Sequence, residues 1–253
     1  MVIKNDRTGE ESFNNFGSVM VITRYKNRND IDVYFPKYDW TYKHANYDNY
    51  KSGRIKCPYE PRVYGVGFIG EGDYISGTTG KQTKSYKTWI HMLERCYDNI
   101  HSYKFPTYEN CYVCDEWLNY QNFACWFDDN YYEIEGEVMC LDKDILSKGN
   151  KVYSPNTCVF VTRGINNLFT KNDKCRTNLP VGVYEHNGKY RVVCSNGKNK
   201  LIELGIYETI ENAFNKYKEF KEQVIKQIAD EYINDIPMTL YKAMYNYIVE
   251  IND

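Results

Sequence analysis

Histidine is scarce in this chain. Only His44, His91, His101 and His186 are present among 253 residues, so few imidazoles are on hand for acid–base work near neutral pH. Positive charge is not in excess either. The formal net charge is −2, so any surface for a polyanion must gather its lysines and arginines on one face. No apolar run approaches the ~20 residues of a membrane span, and the start, Met1 to Arg7, leads into polar residues rather than a signal-peptide core. A soluble protein of the cytoplasm, with no membrane partner, is the expectation. Cys111-Tyr-Val-Cys114 has zinc-knuckle spacing, but no second CxxC and no HxxxH supplies the other two ligands, so a structural zinc is not expected. The nine cysteines are odd in number and scattered, and they read as reduced, buried thiols. Gly65 to Gly72 is glycine-rich, yet no Lys-Ser/Thr follows it and no βαβ pattern surrounds it. It reads as turn and connector rather than as a phosphate loop.

What is present is a globular composition, 42% hydrophobic and 26% charged, with 26 tyrosines and four tryptophans. Tyrosine offers a large contact area with a polar tip, useful at the edge of a core or against bases. AT-rich codon usage accounts for it equally well. The chain is long enough for two or three small domains, and its patterns separate into three segments.

The first segment, 1–83, is expected to be a small β-rich domain. Met20–Tyr25 and Ile31–Phe35 alternate apolar and polar residues around turn chemistry at Asn27–Asp30, which predicts a hairpin, and Trp40–His44 reads as a third strand. A barrel-like unit is the natural outcome. The second, 84–178, opens with two helices. Trp89, Met92, Leu93 and Cys96 share one helical face, and Trp117, Leu118, Phe123 and Trp126 another. Then comes a strand at Met139–Leu146, a polar loop at Ser147–Thr157, a strand at Cys158–Thr162 and a short helix at Arg163–Phe169. The third, 179–253, holds three short strands linked by Asn187-Gly188 and Asn196-Gly197, then a long helix capped by Thr209. The fold class expected is α+β: a small N-terminal β-unit, a central helical region with a ββα core, and a C-terminal three-stranded sheet plus long helix.

Chemistry concentrates at the end of the strand before the polar loop. Asp142 and Asp144 alternate on this strand, so both carboxylates face one side and offer hard oxygen ligands to Mg²⁺ or another divalent cation. Asn166 or Asn167 on the following helix could complete the set. The competing reading has one carboxylate capping the loop and pairing with Lys143 or Lys148. His91, on the first helix of the segment, and His101, in the loop after it, are the candidate bases there.

The residues Trp89–Tyr97, Tyr108–Trp117, Leu141–Asp144, Tyr153–Cys158 and Ile165–Asn167 resemble phage-encoded endonucleases of the HNH (ββα-metal) kind. The third segment resembles the DNA-binding domain of plant APETALA-type factors, a module found in phage and homing nucleases. The resemblance covers nearly the whole chain and implies a homing-type, metal-dependent DNA endonuclease. It implies catalytic roles for Asp142, Asp144 and His91, a metal on Asp142, Asp144 and Asn166, and a bracing role for Asn156. It also implies that the three-stranded sheet lies in the major groove of double-stranded DNA, where arginine reads guanine and lysine contacts phosphate. Tyr184, Lys189, Arg191, Lys198 and Lys200 are the contacts expected there. One departure stands out: the family has a histidine where Leu141-Asp142 stand. It opens the alternative of a nuclease scaffold without cleavage, acting as a DNA-binding regulator or as a phage inhibitor of a host protein. Arg24, Lys26 and Arg28 with Tyr25 form a second basic-aromatic cluster, suited to the DNA backbone.

Overall fold

The structure, a computed structural model, describes residues 6–98, 108–170, 179–198 and 200–251. It is α+β, as the sequence patterns lead one to expect. Two compact units emerge: residues 1–129 with 152–154, and residues 130–151 with 155–253. The three sequence segments are distributed over these two. No helix among the described residues is long and apolar enough to cross a membrane.

The first unit begins with an antiparallel meander of β1 (Glu11–Phe13), β2 (Val19–Asn27), β3 (Asp30–Phe35) and β4 (Trp40–Ala45), in that spatial order. It is an open sheet rather than a barrel. The alternation in β3 is strict, with Ile31, Val33 and Phe35 buried and Asp30, Asp32 and Tyr34 turned outward. Together with Met20 and Ile22 they bury a core against Tyr50 of α1 (Tyr47–Lys51) and against Cys57. The short hairpin β5 (Gly77–Thr78) and β6 (Lys81–Gln82) leads into α2 (Lys84–Tyr97), whose first turn is capped by the Thr83 hydroxyl accepting from Tyr86 N. Trp89, Met92 and Leu93 form the buried stripe of α2. The Trp89 indole donates to Trp117 O at 2.7 Å. The strand β7 (Tyr112–Val113) follows, then α3 (Asp115–Leu118) and α4 (Tyr120–Asn130). The glycine-rich stretch is connector, as expected. A Cβ at Gly67 would lie 2.5 Å from Leu93 Cδ1 and 2.9 Å from the Trp89 ring, so close packing explains a glycine there.

The second unit contains β8 (Met139–Asp142). The two-residue β9 (Val152–Tyr153) belongs to the first unit, pairing in parallel with β7. Antiparallel to β8 runs β10 (Val159–Thr162), and α5 (Arg163–Phe169) follows directly, its first turn capped by the Thr162 hydroxyl at 3.1 Å from Ile165 N. The strand-loop-strand-helix order read from the sequence is therefore present. The sheet of β11 (Val183–His186), β12 (Lys189–Ser195) and β13 (Leu201–Tyr207) is antiparallel throughout. Then come α6 (Ile210–Glu231) and α7 (Met238–Tyr245).

Helix α6 explains why the ββα hairpin and the C-terminal sheet share one unit. Its 22 residues span about 33 Å. Ala213, Phe214 and Tyr217, near its start, pack on Val183, Val192 and Cys194 of the sheet. Val224, Ile225, Ile228 and Ala229, nearer its end, pack on Ile145, Val159, Val161, Ile165 and Leu168 of the hairpin. One amphipathic stripe thus serves two small sheets, neither of which would bury enough apolar surface alone.

Candidate nuclease and nucleic-acid sites

Strand β8 stops at Asp142, opposite Val159, and the chain turns there. The turn has a local cause. Asp142 Oδ1 accepts from Asp144 N at 2.9 Å and from Ile145 N at 2.8 Å, and these backbone donors leave the ladder to meet the carboxylate. Asp144 accordingly lies past the strand, so strand alternation is not what orients it. The capping carboxylate of the competing reading is real, and it is Asp142.

The Asp144 charge nevertheless acts on Asp142. Asp142 is mostly withdrawn from water. Burial pushes its pKa up to about 6, the neighbouring Asp144 charge adds to the rise, and the two backbone N–H donors oppose it. Between them in sequence stands Lys143, whose side chain is only 7% exposed. Its ammonium lies 3.2 Å from Asp144 Oδ2 and donates to Asn150 O at 2.9 Å. The Asn150 amide returns a hydrogen bond to Lys143 O at 2.7 Å. The brace of this loop is thus Asn150; the residue the resemblance points to, Asn156, is exposed and has no side-chain hydrogen bond among the described residues.

Paired carboxylates, one of them desolvated, suit a hard divalent cation, which would relieve their mutual repulsion. Asn166 is half-buried on α5; its backbone carbonyl accepts from Thr170 Oγ1, and its amide bonds to neither carboxyl. His91 is exposed on α2 in the first unit, whereas Asp142 and Asp144 belong to the second. His101 lies outside the described residues. Cys111 is buried and Cys114 half-buried, flanking Val113 of β7, and burial raises the Cys114 thiol.

Among the described residues, Asp30, Asp32 and His44 are the side chains that converge as a cation-sized group, with ligand atoms all within 4.8 Å of one another. Composition gave no hint of this trio; it arises from pairing across the meander and from a bulge near His44, which adopts φ 56°. A cation already stands in it. Arg24 Nη2 lies 2.7 Å from Asp30 Oδ1, and Arg24 Nε 2.6 Å from Asp32 Oδ2. The guanidinium holds both carboxyls well below the usual carboxylate range. Arg28 is likewise engaged, with Asp48 at 2.7 Å. Arg24 is therefore engaged by two carboxylates within the fold, whereas Arg28 and Lys26 hold theirs in exposed pairs that open readily.

The C-terminal sheet has one covered and one open face. Val183, Val192 and Cys194 point to α6. Tyr184 and Arg191 are direct cross-strand partners on the other side, and Ile206 follows Arg191 in the row. The guanidinium carbon of Arg191 is 6.0 Å from the Tyr184 ring centroid, and Tyr184 and Ile206 are exposed. Lys189 pairs with Glu208 and Lys198 with Glu231, at exposed positions where such pairs open readily. Lys200 has no ion-pair partner among the described residues; its backbone N–H donates to Asn196 Oδ1 at 3.2 Å.

No protein-family model, curated protein or solved structure matches this chain.

Proposed function

We propose that the second unit binds double-stranded DNA on the open face of β11–β13 and cuts it as an HNH-like, homing-type, metal-dependent endonuclease. The observation that carries this reading is the pair of neighbouring carboxyls, Asp142 capping its own turn and Asp144 two residues on, at the mouth of a strand-loop-strand-helix hairpin. That hairpin and the sheet are fixed to the same helix, α6. A divalent cation held by Asp142 and Asp144 would supply positive charge against the phosphodiester as it breaks. Asp142, fixed at the end of β8 by two backbone N–H donors, is the ligand that the strand itself positions. Lys143 holds Asp144 in place from the buried side, and Asn150 fixes the loop. Arg191, braced on Tyr184, presents a planar donor suited to guanine, while Lys189, Lys198 and Lys200 suit phosphate.

A second reading keeps the DNA contact and drops the chemistry, leaving a regulator or an inhibitor of a host protein. What favours it is that no imidazole stands in the hairpin, that two backbone N–H groups already occupy Asp142 Oδ1, and that an ammonium sits on Asp144. End-labelled duplex incubated with the whole chain, with and without Mg²⁺ or Mn²⁺, separates them. Salt-sensitive binding with ion-dependent scission supports the nuclease; binding without scission supports the regulator. Neither binding nor scission removes DNA from the account and leaves a protein partner.

A further inference from the structure

We infer that the tip of the β1–β2 hairpin is a stacking platform for single-stranded nucleic acid. Phe16 stands at that tip, 50% exposed, an unusual place for a large aromatic ring. The turn that carries it is held from below. Asn14, 5% exposed, accepts from Phe16 N at 3.0 Å and from Ser18 N at 2.9 Å, and its amide donates to Ile55 O and to the Glu60 carboxylate. Asn15 N donates to Gly53 O at 2.8 Å. The ring is thus exposed on a fixed turn rather than on a loose loop.

Cations surround it. The Arg62 guanidinium carbon is 5.1 Å and the Lys56 ammonium 5.9 Å from the Phe16 centroid. Beside the ring is an open groove of about 400 Å³, lined among others by Val19, Lys37, Tyr38, Pro61 and Arg62. Its one carboxylate, Glu60, is 1% exposed and turned inward onto Asn14 and Cys57 N. Lys37, Lys56 and Arg62 have no carboxylate partner among the described residues, in contrast to Arg24 and Arg28 nearby in sequence. Phe13, 65% exposed and the cross-strand neighbour of Val19, extends the apolar surface.

A ligand for this groove needs a flat π-face for Phe16 and Tyr38 and negative charge for Lys37 and Arg62, the cations that line it, with Lys56 beside the Phe16 ring. A single nucleic-acid strand has both at every residue. A duplex hides its base faces in the stack and does not offer them. The inference is independent of the proposed cleavage, since every residue used lies in the first unit.

Fluorescence anisotropy of labelled dT12 and U12 on the whole chain tests it, with the two arms showing whether DNA or RNA is preferred. Both strands should compete with salt, and Phe16→Ala should weaken the better one by about 5- to 100-fold. Phe16→Tyr should restore it, and duplex binding and the thermal melt should stay as in the parent. Lys37→Gln with Arg62→Gln should flatten the salt dependence by about 0.7 per lost contact. The inference is overturned if Phe16→Ala binds both strands like the parent, if the parent binds neither, or if Phe16→Ala weakens duplex binding to the same degree.

Discussion

Asp142 Oδ1 accepts from the backbone N–H of Asp144 at 2.9 Å, beside a lysine, Lys143, whose side chain is itself only 7% exposed. The folded-state pKa of Asp142, about 6, lies above the ordinary 3.8, so the folded state binds that proton more tightly than the unfolded chain. Metal-free protein should therefore lose stability as pH rises from about 4 to about 6, by at most about 3 kcal/mol. Asp142→Asn should remove that slope. Denaturant melts at stepped pH in the presence of a chelator check it, and a slope unchanged in the variant would place the titration elsewhere.

A second prediction concerns the joint between sheet and helix. Gly182 adopts φ 74°, and a Cβ there would run into the Tyr217 ring and come within 2.6 Å of Val193 O. Gly182→Ala should cost about 2–4 kcal/mol, combining overpacking with a disfavoured backbone. A urea midpoint equal to the parent's would show that the β11 entry is free to shift.

The arginine inside the Asp30, Asp32 and His44 trio gives a third. Arg24→Ala should turn a self-neutralised cluster into a cation site, raising affinity for Ni²⁺ or Zn²⁺ about tenfold or more over the parent. Titration calorimetry reads it directly, and Asp30→Asn on that background should abolish the gain. No difference between Arg24→Ala and parent would mean the trio does not hold metal even when vacated.

For the duplex, Arg191→Ala should lower affinity by about 1–3 kcal/mol and relax discrimination among sequences, whereas Lys200→Gln should weaken all sequences alike and reduce the salt slope by about 1. Gel shifts at several salt concentrations separate base reading from phosphate contact. Equal effects of both variants on every sequence would demote Arg191 to a phosphate contact.

Regular elements were legible in the sequence wherever burial has a short period. The alternation of Ile31, Val33 and Phe35, the helical stripe of Trp89, Met92 and Leu93, and the Thr209 cap all stand where their spacing puts them. The order of β8, loop, β10 and α5 was equally readable. What sequence could not show depends on partners distant along the chain or on a local competition. Alternation places Asp144 on a strand, but the Asp142 carboxylate draws the next backbone donors out of the ladder, and Asp144 falls in a turn instead. The Arg24 cluster looked like free positive charge because its carboxylates come from the facing strand. Nothing in the sequence marks Phe16, since the contacts that fix its turn reach Gly53, Ile55 and Glu60.

The most direct measurement on the carboxyl pair is the rate at which purified chain converts supercoiled plasmid to the nicked form, with Mn²⁺ or Mg²⁺ and with a chelator. The parent should nick only with the ion, and Asp142→Asn and Asp144→Asn should each slow it by about 100-fold or more while leaving duplex binding intact. Nicking by neither ion, or nicking that survives both substitutions together, would contradict a cleavage centre at Asp142 and Asp144.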